Sequence, residues 1–513
     1  MATTATARRA ALAALLAAAG SCLGGADSAG PTLPTARIDY VDGAIEPILT
    51  PGQRFVIEGF GFGATRGTGT VRFAGPSGTL DAVVDDANWT GFAITTTVPD
   101  LAAPGAQTLT VVTGSGRRLT TAVHIIPPPS FDPDALVWQA RGSFPRAPVG
   151  VALAAAEFPS AAGGGGEGGT TLRTTLYAAG GAEPVTSGAQ LEMVPDSGVY
   201  VARAVPGGGG AITAWTRQRD TTDAARSRVL PVPRAFAAAA AATRHNSRLP
   251  SSALYVIGGI DTAGRPQASV LGADVTADSV IGPFTFLEPL PAPVAGAIAV
   301  VRRGRLYVIG GTDASGRPQQ TAYVGRIGPD GHIDGWYEQP LLPGPRAYGG
   351  GLARDGRIVA FGGVADSVPP GGGLDLIGTQ RLVTSDTAPL SLRSGFFTGP
   401  WGTGPNLLPE GRSQFAVLDL GNAVLVVGGM YAGAPTDAAE TLAADVTGDA
   451  VGAFAGPVGQ NRIADLSCGT DDAGTLVGPS GVTWREGDGT RRGLVLGGID
   501  LATALRRACA WGF

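Results

Sequence analysis

Five arginines recur at one kind of place in this 513-residue sequence: Arg146, Arg234, Arg346, Arg412 and Arg462 each follow a turn-forming segment, often Pro-containing, and precede an apolar run. Val294 takes that position in one further repeat. A guanidinium is a planar fork that grips a carboxylate with two hydrogen bonds, so five of them near one mouth could bind an acidic sugar. A residue that returns in every repeat can equally serve the repeat itself, by bonding turn carbonyls, and this structural reading is preferred.

Other candidate chemistry is thin. Asp261-Thr262-Ala263-Gly264-Arg265-Pro266 and Asp313-Ala314-Ser315-Gly316-Arg317-Pro318 offer a carboxylate each. They lack the further acids that calcium wants, so hairpin turns are expected there, as at Asp330-Gly331-His332. The three histidines, His124, His245 and His332, are scattered, and no metal or other cofactor is expected. The sequence contains no lysine, which removes Schiff-base chemistry and the P-loop lysine together, and no Gly-x-Ser-x-Gly elbow is found. No catalytic residue is assigned.

The elements that must carry these residues read as all-β. Gly 81 and Pro 39 punctuate many short runs of Val, Leu, Ile, Thr and aromatics, and 44% hydrophobic content argues against disorder. No convincing helical periodicity follows the leader. Net charge is −5, and near −7 once Arg8 and Arg9 are removed with that leader, so no nucleic-acid footprint exists.

Residues 1–21 have the layout of an export signal, with Arg8 and Arg9 before the apolar stretch Ala10–Ala19. Ala19-Gly20-Ser21-Cys22 resembles the bacterial lipobox, which implies lipidation of Cys22 and anchoring at the cell envelope; ordinary signal-peptidase cleavage and secretion is the alternative. Residues 22–33 then form a flexible tether. Export implies oxidising surroundings, so Cys468 and Cys509, both in the last repeat, are expected to form a disulfide, with two buried thiols as the alternative. Such a bridge closes a loop of about 40 residues and could contribute roughly 4 kcal/mol.

Residues 34–126 fit a small sandwich of short strands. The run Phe55-Val56-Ile57-Glu58-Gly59-Phe60-Gly61-Phe62-Gly63, with Val71-Arg72-Phe73 and Asn88-Trp89-Thr90, resembles the IPT/TIG immunoglobulin-like family. The resemblance implies a spacer or adhesion module, and Trp89 is expected in its core. Residues 127–135, opening on Pro127-Pro128-Pro129, read as a Pro-rich linker and a stiff break between domains.

From residue 136 to 513 a pattern returns six times, each time closing on a glycine doublet: Gly180-Gly181, Gly258-Gly259, Gly310-Gly311, Gly362-Gly363, Gly428-Gly429 and Gly497-Gly498. This resembles the Kelch family and implies a six-bladed β-propeller. Trp215, Phe284 or Phe286, Trp336, Trp401 and Phe454 should pack blade against blade, and the segment around Leu136–Gln139 should complete the last blade. Extra length at Gly163–Gly169, Ala241–Ser251 and Asp471–Asp488 is expected between the first two strands of its blade, on one rim.

The galactose-oxidase family joins such blades to immunoglobulin-like modules, but its copper ligands have no clustered counterparts here. The sequence therefore points to a monomeric, non-enzymatic envelope protein whose rim binds a glycan or an envelope protein. A carbohydrate-active enzyme at the propeller mouth, epimerase-like or oxidase-like, is the alternative.

Overall fold

The computed structural model describes residues 35–146, 148–161, 170–187, 190–219, 227–244, 247–249, 251–366, 380–431, 440–463, 466, 476–499 and 509–513. The leader, the tether and Cys22 lie outside these residues, as do His245 and Cys468.

The N-terminal unit is built from two sheets. Arg37–Val41, Arg54–Phe60 and Ala93–Thr97 form one; Ile48–Leu49, Arg118–Ile125, Gly105–Val112, Thr70–Gly75 and Gly78–Ala82 form the other, in that spatial order. Alternation along the strands sends Phe55 and Ile57 from the first sheet and Val71 and Phe73 from the second into one core. Phe55 and Phe73 meet edge to face with centroids 5.9 Å apart. Trp89 is buried there and donates from its indole nitrogen to the carbonyl of Phe62 at 3.2 Å.

Six four-stranded antiparallel sheets follow. Blade 1 comprises Ala152–Ala161, Thr170–Ala179, Val199–Arg203 and Thr216–Arg217; blade 2, Ala238–Ala242, Ser252–Ile257, Val270–Val275 and Thr285–Phe286. Blade 3 comprises Ile298–Arg302, Arg305–Ile309, Ala322–Ile327 and Ile333–Glu338; blade 4, Gly350–Ala353, Arg357–Phe361, Thr384–Pro389 and Gly402–Asn406. Blade 5 comprises Ala416–Asp419, Ala423–Val427, Thr441–Thr447 and Ala450–Val451. Blade 6 takes Ser480–Arg485, Arg491–Leu496 and Cys509–Gly512 from the end of the sequence and its outer strand, Gln139–Ser143, from the start of the repeat region. That pairing closes the disc and leaves no open edge between first and last blades.

Backbone bonds repeat from blade to blade and prove the closure. The second glycine of each doublet donates its N–H to a turn residue at the entry of the next blade: Gly181 to Arg234, Gly259 to Val294, Gly311 to Arg346, Gly363 to Arg412, Gly429 to Leu476 and Gly498 to Pro148, at 2.7–2.9 Å. Two residues beyond each turn carbonyl stands one axial residue with positive φ: Gly150, Phe236, Gly296, Tyr348, Gln414 and Gly478. Each axial N–H donates to the axial carbonyl of the preceding blade, and Gly150 closes the circle onto Gly478 at 3.1 Å. The doublets must be glycine for a local reason. A Cβ on Gly310 would overlap the carbonyl of Arg346, and its φ of +62° already disfavours a side chain.

This register corrects the reading of the first and last repeats. The entry-turn position is held by Pro148, Arg234, Val294, Arg346, Arg412 and Leu476, so Arg146 and Arg462 do not occupy it. The extra length of blade 6 correspondingly falls in large part before its first strand, because Arg485 and Arg491 are joined by a short hairpin.

Of the two phenylalanines considered for blade 2, Phe284 is buried and Phe286 is 58% exposed. Trp215, Trp401 and Phe454 are buried; Trp336 of blade 3 donates its indole N–H to the carbonyl of Glu288 beyond the outer strand of blade 2 at 3.0 Å.

Candidate functional site

The six first strands line an axial cavity of about 790 Å³ that stays partly open to solvent. Its wall is made of small and branched residues, among them Ala154, Ala240, Ala299 and Leu352, whose short side chains leave the space open. The two ends of the axis are closed in different ways.

At the end carrying the glycine doublets, closure is apolar. Phe236 and Tyr348 meet edge to face at 5.7 Å within a buried cluster that includes Met193, Ile260 and Val364. The neighbouring axial positions are glycines because a Cβ at Gly150 or Gly296 would collide with the ring of Phe236 or Tyr348. Burial pushes the Tyr348 phenol up to about 12, so it stays neutral across the physiological range. Around this plug project the connections between second and third strands. Asp261 and Asp313 organise two of them as turns. Asp261 accepts from the N–H groups of Ala263 and Arg265 at 2.9 and 3.0 Å and from the Gln267 amide at 2.8 Å; Asp313 repeats the pattern with Ser315, Arg317 and Gln319. The guanidinium of Arg265 pairs with Asp261 at 3.3 Å and remains 74% exposed.

At the other end, where hairpins join the first and second strands, closure depends on charge and on the N-terminal unit. The tight turn Arg303-Gly304 of blade 3 meets the tight turn Asp42-Gly43, and Arg303 donates from Nε to Asp42 Oδ1 at 2.6 Å. Both side chains are 8% exposed. Arg302 bonds Asp355 and also reaches Asp42 Oδ2 at 3.4 Å. Burial alone would lower the Arg302 pKa, but the two carboxylates outweigh it and raise it. From blade 2, Arg248 bonds Glu58 and lies over the Tyr40 ring at 4.6 Å, and Arg244 pairs with Glu46 at 3.2 Å. Ile48, Ile126 and Leu172 add an apolar contact with blade 1.

The stretch 127–135 runs along the same face and is pinned to it. Asn422 grips both the N–H and the carbonyl of Phe131, at 3.0 and 2.8 Å, and Asn461 does the same for Trp138. The expectation of a stiff break and a spacer is thereby corrected: the N-terminal unit and its connection are docked on the propeller, because one buried ion pair, several partly exposed ones and doubly bonded asparagines fix them there. The rim carrying the extra length at Ala241–Ser251 is the rim the N-terminal unit covers.

The arginines singled out in the sequence do not converge on an open mouth. Arg234, Arg346 and Arg412 are each 2% exposed. Arg346 bonds the carbonyl of Gly362 and the carboxylate of Asp386 at 2.9 Å; Arg412 bonds the carbonyl of Gly428 at 3.1 Å and pairs with Glu440 at 3.5 Å. Arg234 donates to Ser269 Oγ at 2.6 Å. Desolvation lowers the pKa of all three against their carboxylate neighbours. Arg146 is held between Glu183 and Asp196, and Arg462 is exposed. The arginines that do face the cavity are Arg302, Arg303, Arg354, Arg485 and Arg491, together with Arg54 of the N-terminal unit. The five from the propeller stand where first strands, their hairpins and second strands meet, and no repeat pattern marks them. Cys509 is buried and disulfide-bonded.

Six four-stranded blades around a closed axis, each bonded to the next through a glycine doublet, define a Kelch-type β-propeller. The comparisons agree with that class: the chain is 28% identical over 127 residues to Beta-scruin of Limulus polyphemus and 28% identical over 125 residues to Alpha-scruin of the same organism. Each match takes in 24% of this chain and only 13% of the relative's length. No family model matches the chain.

Proposed function

We propose that this chain is a non-enzymatic binding protein of the bacterial envelope, whose propeller engages a protein or glycan partner through the end that carries the glycine doublets. One observation carries the reading: the opposite end is occupied by the chain's own N-terminal unit. The face left for a partner is thus the one bearing the Asp261 and Asp313 turns, with Arg265 and Arg317 exposed on them. Propellers use such connections for binding because a rigid disc holds variable loops in fixed positions. Similarity to the scruins favours a protein partner. The export-like segment with Arg8, Arg9 and Cys22 supports envelope anchoring, and the IPT/TIG-like features of residues 34–126 support an immunoglobulin-like cap.

The test is retention of the full processed chain on arrays of envelope proteins and of glycans that include acidic sugars, with the bound sugar analysed for chemical change. Retention without turnover, lost in the double variant Arg265→Glu with Arg317→Glu, is the expected result. Turnover of a sugar, or retention indifferent to those two substitutions, contradicts the reading.

A further inference from the structure

The arginines lining the cavity are not all paired. Arg302 and Arg303 are matched by Asp42 and Asp355. Glu157 of blade 1 takes a fork from Arg485, whose backbone N–H and Nε lie 2.7 and 2.9 Å from its two oxygens. Arg354 pairs with Asp419 at 3.0 Å. Arg491 is left over. It sits directly across the blade 6 hairpin from Arg485, a like-charge pairing that opposes folding. Among the described residues no carboxylate pairs with it, and its Nε is buried without a hydrogen-bond partner. Burial, with Arg485 adding to it and the more distant Glu157 and Asp419 opposing it, pushes its pKa down to about 10, so at neutral pH the group still carries its charge. Arg354, Arg485 and Arg491 thus face the cavity together with Glu157, Asp419 and Asp449, and of the three arginines Arg491 alone has no carboxylate at ion-pair distance among the described residues.

Arg491 is half-buried, and a partly desolvated charge without an ion-pair partner is costly unless a ligand supplies the missing charge. A cavity of this size accommodates a small molecule. We propose that the covered end of the axial cavity is a binding site for a small anion, a carboxylate or a phosphate, which completes the charge of Arg491. The site is independent of the partner-binding face, since it lies at the opposite end of the axis. A sugar carboxylate and inorganic phosphate offer the same charge, and the two are separated by experiment.

The full processed chain is titrated calorimetrically with D-galacturonate, with inorganic phosphate and with neutral D-galactose. At least one anion is expected to bind with one-to-one stoichiometry, and galactose is not. Arg491→Gln should weaken that anion about tenfold to a hundredfold, as expected for loss of a charged hydrogen-bond donor. Arg462→Gln, at an exposed position away from the cavity, should leave it unchanged. Binding of galacturonate alone assigns the source as a sugar acid, and binding of phosphate alone assigns it as a phosphate. Absence of binding by both anions, equal binding of galactose, or an unaltered affinity in Arg491→Gln overturns the proposal. Melting temperatures of the anion-free variants guard against a merely structural role. Arg491→Gln and Arg491→Leu remove a desolvated like charge and should melt no lower than the parent; a fall in both means that Arg491 holds the blade, and overturns the proposal as well.

Discussion

The two ends of the propeller axis are made by the same six strands and closed by opposite means. At the doublet end the closure is backbone and apolar: six axial residues joined in a ring, with Phe236 and Tyr348 filling the centre. At the hairpin end each blade contributes something different, a pair of arginines from blade 3, a single asparagine from blade 5, a short hairpin carrying Arg485 and Arg491 from blade 6. Geometry that must repeat sixfold is written in backbone constraints. Geometry that recognises one specific neighbour is written in side chains.

If that contrast is right, substitutions at the doublet end should cost the most. Gly310→Val places a branched side chain at positive φ against the Arg346 carbonyl, and the strain and overlap together should remove about 4 kcal/mol of stability, measured by urea denaturation. Asp386→Leu leaves Arg346 buried without its carboxylate and should cost about 3 kcal/mol in the same assay; survival of either variant at parental stability would break the comparison.

Effects at the hairpin end should be smaller and local. Asn422→Ala deletes both bonds to Phe131 and should cost about 2 kcal/mol, while making residues 127–135 a new site of limited proteolysis.

The smallest effect concerns pH. His124 is buried, and desolvation lowers its pKa below the ordinary 6.5 despite the nearby Glu46. The unfolded chain therefore takes up the proton first as pH falls. The stability that neutral His124 supplies is complete above about 6.5 and is lost below it, down to the folded value. His124→Gln should flatten this part of the profile, seen as a smaller change in urea midpoint between about pH 7 and about pH 5.5.

The sequence was legible where the contrast predicts. The glycine doublets marked all six blades, and the segment just before Gln139–Ser143 marked the strand that completes the last one. The spacing of turn residues marks the entry position in the four blades from Arg234 to Arg412 and fails to mark it in the first and last, where Pro148 and Leu476 stand in place of arginine. A better signal was present: a small or branched residue, Val149, Ala235, Ala295, Ala347, Ser413 or Val477, stands between turn and axial residue and bridges the residue after the doublet. Docking of the N-terminal unit was not legible. Asp42, Glu58, Arg248 and Arg303 lie far apart in the chain, and nothing periodic distinguishes them from solvated charges.

The central claim is that residues 37–126 cap the axis instead of spacing the propeller away. A double-mutant cycle on Asp42→Leu and Arg303→Leu, read by urea denaturation of the full processed chain, tests it most directly. The buried, hydrogen-bonded pair predicts a coupling energy of about 1.5 kcal/mol or more. Additivity of the two single losses would contradict the docked arrangement.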